Sequence, residues 1–338
     1  MSADPARVGI VGFGLAGRVF HAPLVEAVDG LELAAIVTSD HERQERARAA
    51  HPGARVVASV DELWADVDLV VAATPNRTHV PLALAAIERG LAVVVDKPLA
   101  PSVADAERLL AAGGRLTVFQ NRRFDGDFLT VARLVSEGDL GRVTRFESRF
   151  ERFRPEVSGD TWREQPDAEE GGGLLLDLGA HLVDQACQLF GPPVEVYGEV
   201  DTRRPDARVE DDVFVALEHR GGERSHLWMS STAPLNGPRF RVSGLRAGFE
   251  TFGLDPQEAQ LADGLRPGDP DYGRASPGRL VDAGGARELP LEPGAYERFY
   301  EGVARWLGDD APAPVDPADS LAGLRVLEAV RRRAAAAS

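Results

Sequence analysis

The sequence has very little cysteine and no long apolar stretch, and each shortage excludes a class of protein. A single cysteine, Cys187, rules out an internal disulfide framework and a cysteine-rich metal site. No apolar run reaches the roughly 18 residues that a membrane-spanning helix needs, and the N-terminal residues show no signal-peptide pattern. We therefore expect a cytoplasmic protein without a membrane segment.

Positive charge is also scarce. With 38 basic against 54 acidic residues the net charge is −16, so the surface should repel nucleic acid and anionic lipid. Histidines and carboxylates nowhere cluster with the spacing of metal ligands, so we expect no bound metal. The partner class that remains is a small molecule, whose binding must depend on local backbone and arginine donors.

Lysine is the scarcest charged residue. Lys97 is the only one, and arginine supplies the other 37 of the 38 basic residues. Arginine stays protonated and presents a planar fork, whereas lysine is a compact cation whose pKa responds to burial. The surviving lysine is therefore a candidate functional group, and chance survival on the surface is the alternative.

The length of 338 residues suits two domains. In the first, residues 1–121, β-rich runs alternate with helical patterns such as Leu15–Val28 and Thr78–Arg89. This alternation predicts a doubly wound parallel sheet. The predicted strands are Arg7–Gly12, Glu32–Val37, Arg55–Ala58, Leu69–Thr74, Ala92–Asp96 and Leu116–Gln120.

The second domain, residues 122–338, changes character. A helix near Asp127–Glu137 precedes alternating apolar and charged residues at 144–153, which are typical of an antiparallel sheet with one solvated face. We expect an α+β domain with a large, mainly antiparallel sheet. Further strands are predicted near Val194–Val200, Asp212–His219, Arg224–Ser230 and Phe240–Ser243. The Gly-, Pro- and Asp-rich stretch Pro256–Pro293 is expected to be a surface excursion, and a last helix begins at Pro317.

A G-x-G-x-x-G motif follows the first predicted strand and opens the first helix. Its residues are Gly12, Phe13, Gly14, Leu15, Ala16 and Gly17. The first glycine permits a tight turn, the second lets a pyrophosphate approach the backbone, and the third lets the helix pack closely on the strand. Glycine-rich turns also arise by chance, but the regular strand and helix series around this one predicts a dinucleotide-binding Rossmann domain.

The end of the second strand should select between NAD and NADP. An acidic residue here would bind the ribose 2′-hydroxyl of NAD, but Thr38 and Ser39 occupy the predicted contact positions. Their hydroxyls, together with Arg43, suit a 2′-phosphate, so we expect NADP. NAD stays open because a shift in register would make Asp40 the acidic residue. A third possibility is that Asp40 only caps the following helix.

Two further segments carry polar groups suited to alcohol oxidation. Lys97 comes directly after the fifth strand, at the edge where parallel sheets bind their ligands. Asp177 and His181 are four residues apart in a predicted helix that begins in the glycine run at 171–173, so they share a face. Histidine can accept a hydroxyl proton near neutral pH, and a lysine cation can stabilise a developing alkoxide. An ordinary surface pair is the alternative for Asp177 and His181.

Together these segments resemble the Gfo/Idh/MocA oxidoreductase family over nearly the whole chain. The matching motifs are Lys97-Pro98, the D-x-x-x-H helix from Asp177 to His181, Thr74-Pro75-Asn76 and Asn121-Arg122-Arg123-Phe124. Residues 152–156, 162–164, 177–179 and 236–239 are most similar to the NADP-dependent scyllo-inositol dehydrogenases of that family. One departure is Asp96, where the family usually has glutamate before the lysine.

The resemblance implies roles for individual residues. Lys97 would lie beside the substrate hydroxyl and the nicotinamide, Asp177 would hold substrate and histidine, and His181 would be the acid or base. Thr74, Pro75 and Asn76 are expected to line the cofactor site. From its position after Asn76, His79 either lines the nicotinamide site or is an ordinary residue at a helix start. Asn121, Arg154 and Arg163 are candidates for binding the hydroxyls of a polyol, with a structural role as the alternative for each. Relatives assemble through the C-terminal sheet, so we expect a homodimer or homotetramer.

We therefore expect an NAD(P)-dependent dehydrogenase that interconverts a secondary hydroxyl of a cyclic polyol or sugar and its ketone. Two alternatives stay open. One is a cofactor-binding sensor or regulator without turnover, although such proteins should lack part of the lysine, aspartate and histidine set. The other is redox-assisted glycoside cleavage, in which bound NAD is recycled.

Overall fold

A computed structural model describes residues 4–157, 172–309 and 311–337. They form two compact units. The first comprises the described parts of Met1–Phe124, Pro256–Gly273 and Ala295–Ala318, and the second those of Asp125–Asp255, Arg274–Gly294 and Asp319–Ser338. The predicted boundary after residue 121 divides the chain into consecutive pieces, whereas the first of these units also takes in two later segments.

The first unit is built on a parallel sheet. In its described residues the strands are β1 (Ala6–Val11), β2 (Leu31–Val37), β3 (Arg55–Val57), β4 (Leu69–Ala72), β5 (Ala92–Asp96) and β6 (Leu116–Phe119), in the order β3-β2-β1-β4-β5-β6. The helices are α1 (Ala22–Glu26), α2 (His41–Ala50), α3 (His79–Ile87), α4 (Val103–Ala111), α8 (Gln257–Ala262) and α9 (Glu297–Gly308). All residues of β4 are buried, as expected for a strand with helices on both faces. The predicted doubly wound sheet is confirmed.

The helix after the glycine motif differs in detail from the prediction Leu15–Val28. It starts as a wide turn, Ala16–His21, in which the Ala22 N–H bonds to the Gly17 carbonyl five residues back. It then continues as α1 and ends at Glu26. Pro23 lies in this second part and has no N–H to donate, which is compatible with a first helical turn.

The second unit contains a larger sheet. Its described strands are β7 (Val143–Glu151), β8 (Pro193–Asp201), β9 (Asp212–His219), β10 (Arg224–Ser230), β11 (Phe240–Gly244), β12 (Ala247–Thr251), β13 (Gly278–Asp282) and β14 (Gly285–Leu289), in the order β14-β13-β12-β11-β7-β10-β9-β8. Its helices are α5 (Gly126–Ser136), α6 (Leu174–Asp177), α7 (Gly179–Phe190) and α10 (Pro317–Ala337). Only β7 and β10 pair in parallel among these strands, so the mainly antiparallel sheet is confirmed.

Two local predictions were wrong. Pro256–Pro293 is not a surface excursion, because it contains α8 of the first unit and the strands β13 and β14 of the second. Its glycines and prolines lie around short elements that the composition alone did not separate. The predicted continuous helix through Asp177 and His181 is instead divided at Leu178 into α6 and α7.

None of the described helices combines the length and the apolar character needed to cross a bilayer.

Candidate active site

The glycine motif forms a turn whose three glycines have separate physical reasons. Gly12 has a φ of +100°, and a Cβ there would collide with the Ala73 carbonyl oxygen. A Cβ on Gly17 would collide with the carbonyl oxygen of Gly12, so this glycine lets the helix approach the strand. At Gly14 a Cβ would meet only the Arg43 guanidinium, at 4.0 Å from Nη1. The surface beside Gly14 is therefore open, which suits the close approach of a pyrophosphate to the backbone. A dinucleotide fits this cradle.

The end of β2 presents hydroxyls and an arginine. Thr38 is buried, Ser39 is exposed, and Arg43 extends towards Gly14. Asp40 is the N-cap of α2, and its Oδ1 accepts the Arg43 backbone N–H at 2.9 Å. This hydrogen bond lowers the pKa of Asp40; partial loss of hydration opposes the shift, and the Arg43 charge adds to it. The capping role proposed as one alternative for Asp40 is thus what the geometry shows.

Lys97 follows β5 directly, and β1, β4 and β5 are neighbours in the sheet. Because the strands are parallel, their carboxyl ends bring the glycine turn, Thr74-Pro75-Asn76 and Lys97 to one edge. Lys97 is half-buried, its backbone N–H donates to Asp96 Oδ1 at 2.9 Å, and the Lys97–Pro98 peptide bond is cis. A lysine fixed by its backbone at this edge does not resemble a chance surface residue.

His79 connects the loops after β4 and β5. It is buried, with Nδ1 2.9 Å from the Pro98 carbonyl oxygen and Nε2 2.9 Å from the Thr74 carbonyl oxygen. The side chain of Thr78 also bonds to the hydroxyl of Thr74, at 2.7 Å. These contacts hold the predicted cofactor loop against the residue after Lys97. A direct contact between His79 and the cofactor stays a prediction.

Sequence reasoning gave no role to His21 and did not consider Tyr300, and both lie behind this edge. His21 is fully buried on the turn after the glycine motif, with Nδ1 2.6 Å from the Tyr300 hydroxyl oxygen. Its Nε2 lies 3.9 Å from Asp96 Oδ1. Only the tertiary structure brings the two residues together, because 279 positions separate them in the chain.

In the second unit, Asp177 ends α6 and His181 lies in the first turn of α7. Asp177 is half-buried and His181 is 4% exposed. Gly173, with a φ of +93°, begins α6 beside the carboxylate of Glu210. A Cβ on Gly179 would lie 3.1 Å from Leu327 and 3.3 Å from the sulfur of Met229, so this glycine lets α7 pack tightly. Backbone packing thus sets the positions of both predicted catalytic side chains.

A buried polar cluster supports α7 from the sheet side, and sequence reasoning missed it. Arg239 is 2% exposed and donates to the Ser148 hydroxyl and to Gln185 Oε1, the latter at 3.2 Å on α7. Asp127 Oδ2 lies 4.0 Å from Arg239 Nε. Burial raises the pKa of Asp127 to about 7, a shift that Arg239 opposes and the carboxylates of Asp125 and Asp255 reinforce. The sequence held no local signal for this cluster because its members come from four distant segments.

The remaining predicted substrate residues are placed differently. Asn121 is buried in the turn after β6, whereas Arg154 is exposed after β7 and its backbone N–H donates to the Ser231 carbonyl at 2.7 Å. Arg163 lies outside the described residues. Within the described ranges, no group of three His, Cys, Asp or Glu side chains is arranged to hold a metal ion.

The chain matches two family descriptions. Residues 6–118 match the "Oxidoreductase family, NAD-binding Rossmann fold", and residues 128–250 match the "GFO/IDH/MocA C-terminal domain". The matched ranges correspond to the parallel sheet and to most of the antiparallel sheet.

Similar proteins align over almost their full length. YdgJ of Escherichia coli K12, named an uncharacterized oxidoreductase, is 39% identical, with 96% of this chain and 95% of the relative covered. The scyllo-inositol 2-dehydrogenase (NADP(+)) IolW of Bacillus subtilis 168 is 34% identical, with 96% and 93% covered. The solved structure of the yvaA protein of Bacillus subtilis superposes with a TM-score of 0.92 at 32% identity, covering 100% of this chain and 98% of that one.

Proposed function

The chain belongs to the Gfo/Idh/MocA family of oxidoreductases and has its NAD(P)-binding Rossmann domain, and on that basis we propose that it interconverts a secondary hydroxyl of a cyclic polyol or sugar and the corresponding ketone. The observation that carries this proposal is the position of Lys97. The chain's single lysine lies at the same sheet edge as the open glycine turn, with its backbone held by Asp96. Similarity to an inositol dehydrogenase supports the polyol class.

The chemistry assigns one task to each polar group. Bound nicotinamide would accept the hydride from the carbinol carbon in the oxidative direction. The protein must then remove the hydroxyl proton, and His181 is the proposed base because imidazole titrates near neutral pH. Asp177 would orient the substrate and the imidazole. Lys97, as a cation, would hydrogen-bond the reacting oxygen and stabilise the negative charge that develops on it.

NADP is the proposed cofactor. Ser39 and Arg43 present donors at the end of β2, and the carboxylate of Asp40, which could otherwise bind a ribose hydroxyl, already accepts a backbone N–H as a helix cap. Donors of this kind favour a 2′-phosphate. Fluorescence titration with NADPH and NADH should give at least tenfold tighter binding of NADPH, which is about 1.4 kcal/mol. Tighter binding of NADH would reverse the assignment.

Two substitutions test the assigned roles directly. Lys97→Arg keeps the charge but enlarges the head group, and His181→Ala removes the proposed base. Each should lower kcat by about 10²-fold or more at saturating substrate, while NADPH affinity and melting temperature stay close to wild type. A loss below tenfold in either folded variant would mean that the role of that residue is misassigned.

The substrate itself needs a screen of inositols, aldoses and ketoses with each cofactor. Release of reduced cofactor together with a free ketone identifies ordinary dehydrogenation. Cleavage of a glycoside without net cofactor reduction would favour redox-assisted hydrolysis instead. Binding of cofactor with no turnover of any substrate would favour a sensor.

We further propose that copies of the chain assemble through the open face of the antiparallel sheet. Phe214, His226 and Trp228 form a contiguous aromatic patch there, with ring centroids 5.1 to 6.0 Å apart, and Arg149 stacks on Trp228 at 3.9 Å. Partly exposed aromatic patches of this kind are typical of subunit interfaces. Light scattering should give a multiple of the 36.3 kDa chain mass, and Trp228→Arg should reduce it. A wild-type mass of one chain at micromolar concentration would contradict assembly.

A further inference from the structure

A line of polar groups runs through the core of the first unit to Lys97. Tyr300, on α9, contacts His21 Nδ1 at 2.6 Å, and His21 Nε2 faces Asp96 Oδ1 at 3.9 Å. The same Asp96 oxygen accepts the Lys97 backbone N–H at 2.9 Å. The aromatic ring of Phe119 lies 4.5 Å from the imidazole and closes off its side. Each member of the line therefore has a defined neighbour.

The environment determines where the protons are. Burial lowers the pKa of His21 to about 4, although Asp96 opposes this shift, and burial raises the pKa of Tyr300 well above its ordinary value. At neutral pH the imidazole thus carries one proton and the phenol keeps its own. If the Tyr300 hydroxyl donates to Nδ1, the single imidazole N–H is on Nε2 and points at the Asp96 carboxylate. The other tautomer would direct the lone pair of Nε2 at that negative charge, which is unfavourable.

The distance between His21 Nε2 and Asp96 Oδ1 suits a contact that positions the carboxylate. A separation of 3.9 Å is longer than a direct hydrogen bond, and a small rotation of the Asp96 carboxylate would bring the two atoms within hydrogen-bond distance. Asp96 is 18% exposed at its side chain, so its carboxylate is only partly hydrated. Tyr300 is fully buried. The line of polar groups therefore ends in the core. It holds side chains in position and does not pass a proton to solvent.

We propose that Tyr300 and His21 are positioning residues for Lys97 and act through the Asp96 carboxylate, with the hydroxyl of Tyr300 holding the imidazole at Nδ1 and the charge of Asp96 favouring the Nε2–H tautomer of His21. The proposal rests on the proposed role of Lys97 in hydride transfer. Asp96 Oδ1 accepts the Lys97 backbone N–H, so an N–H aimed at this carboxylate from His21 would help to fix it where it holds the backbone of Lys97. A small displacement of a group that contacts the reacting oxygen lowers the rate strongly.

The tautomer can be tested without any enzymatic turnover. Long-range ¹H–¹⁵N correlation spectra of the ¹⁵N-labelled full chain report which ring nitrogen of each histidine is protonated, and His21→Gln identifies the signals of His21. We expect a neutral Nε2–H ring at neutral pH in wild type and a mixture of tautomers in Asp96→Asn. Tyr300→Phe should keep the wild-type tautomer and shift the ¹⁵N signal of Nδ1, which loses its hydrogen bond. A protonated ring, or a wild-type Nδ1–H tautomer, would overturn the proposal whether or not a substrate has been found.

Kinetics test the consequence for Lys97. Tyr300→Phe should lower kcat about tenfold or more and shift its pH profile, with unchanged NADPH affinity. Tyr296→Phe is the matched control, because it removes the hydroxyl of another fully buried tyrosine, next to the start of the same helix, and it should leave kcat and its pH profile unchanged. A purely structural role would instead lower the melting temperature in both variants and leave the pH profile of each as in wild type.

The double variant separates this proposal from the proposed function. If Lys97→Arg loses activity, Tyr300→Phe should cause little further loss in that background, because both changes affect one interaction. An undiminished effect of Tyr300→Phe in the Lys97→Arg background would overturn the positioning role. Full activity of Lys97→Arg alone would instead refute the role of the lysine, and with it the functional part of this inference, while the tautomer result would stand.

Discussion

Replacing Gly14 by alanine should abolish tight cofactor binding without unfolding the protein, whereas the same change at Gly17 should damage the fold. The two glycines belong to one turn, but their surroundings differ. A Cβ at Gly14 meets only a guanidinium nitrogen of Arg43 at 4.0 Å, while a Cβ at Gly17 lies closer to the Gly12 carbonyl oxygen than the 3.0 Å that real Cβ contacts respect. The first change fills open space, and the second forces backbone apart.

The expected magnitudes follow from these distances. At Gly14 the backbone has no positive φ and the Cβ no clash, so the free energy of unfolding should change by less than about 0.5 kcal/mol. At Gly17 the backbone must move, and overpacking of this kind costs about 1–3 kcal/mol. For binding, the new methyl group of Gly14→Ala separates a pyrophosphate from the backbone donors. Loss of even one charge-assisted hydrogen bond, about 1.5–3 kcal/mol, weakens NADPH binding more than tenfold.

Urea unfolding and NADPH fluorescence titration measure the two quantities on the same samples. Gly53→Ala is a matched control, because that glycine is in the same unit with nothing within 4 Å of a built Cβ. It should change neither quantity by more than the experimental error. Wild-type NADPH affinity in Gly14→Ala would refute the argument, since the cofactor would then not approach this backbone. So would a Gly17→Ala protein as stable as wild type.

Three further substitutions test the electrostatics and the backbone. Burial raises the pKa of Asp127 from 3.8 to about 7, so the folded state keeps a proton that the unfolded state releases, and this contribution to stability falls as pH rises from about 4 to 7. Asp127→Asn should remove this slope, which reaches about 1.4 kcal/mol per pH unit in the free energy of urea unfolding. An unchanged slope in the variant would contradict the assignment. For His21 the dependence on pH has the opposite sign, because burial lowers its pKa from 6.5 to about 4 and stability is lost as pH falls through that range. His21→Gln should reduce this loss of stability, measured in the same way by urea unfolding. Gly173→Ala should lower the melting temperature, because its φ of +93° and ψ of 156° lie in a region that costs other residues about 1–3 kcal/mol. The new Cβ should also disturb the contact at 3.1 Å between Glu210 and Arg331, and an unchanged melting curve would show that α6 can begin without this turn.

The sequence by itself determined the parallel sheet, the dinucleotide turn and the family. Each of these depends on short-range information: buried apolar runs such as Val93–Val95, turn glycines, and motifs of a few residues. The resemblance to Gfo/Idh/MocA proteins is confirmed by matches in both domains. Within the motif, Gly12 and Gly17 meet the steric demands that the sequence pattern predicted for them.

Only the tertiary structure decided which late segments complete the first unit. Thr117 Oγ1 donates to the Val315 carbonyl at 2.8 Å across 198 positions, and Tyr300 reaches His21 across 279. Such pairs depend on complementary packing of elements far apart in the chain, and no periodicity within a window of one helix or strand encodes them. The same reason explains why a glycine- and proline-rich stretch, Pro256–Pro293, could not be divided in advance between a helix of one unit and the last two strands, β13 and β14, of the other.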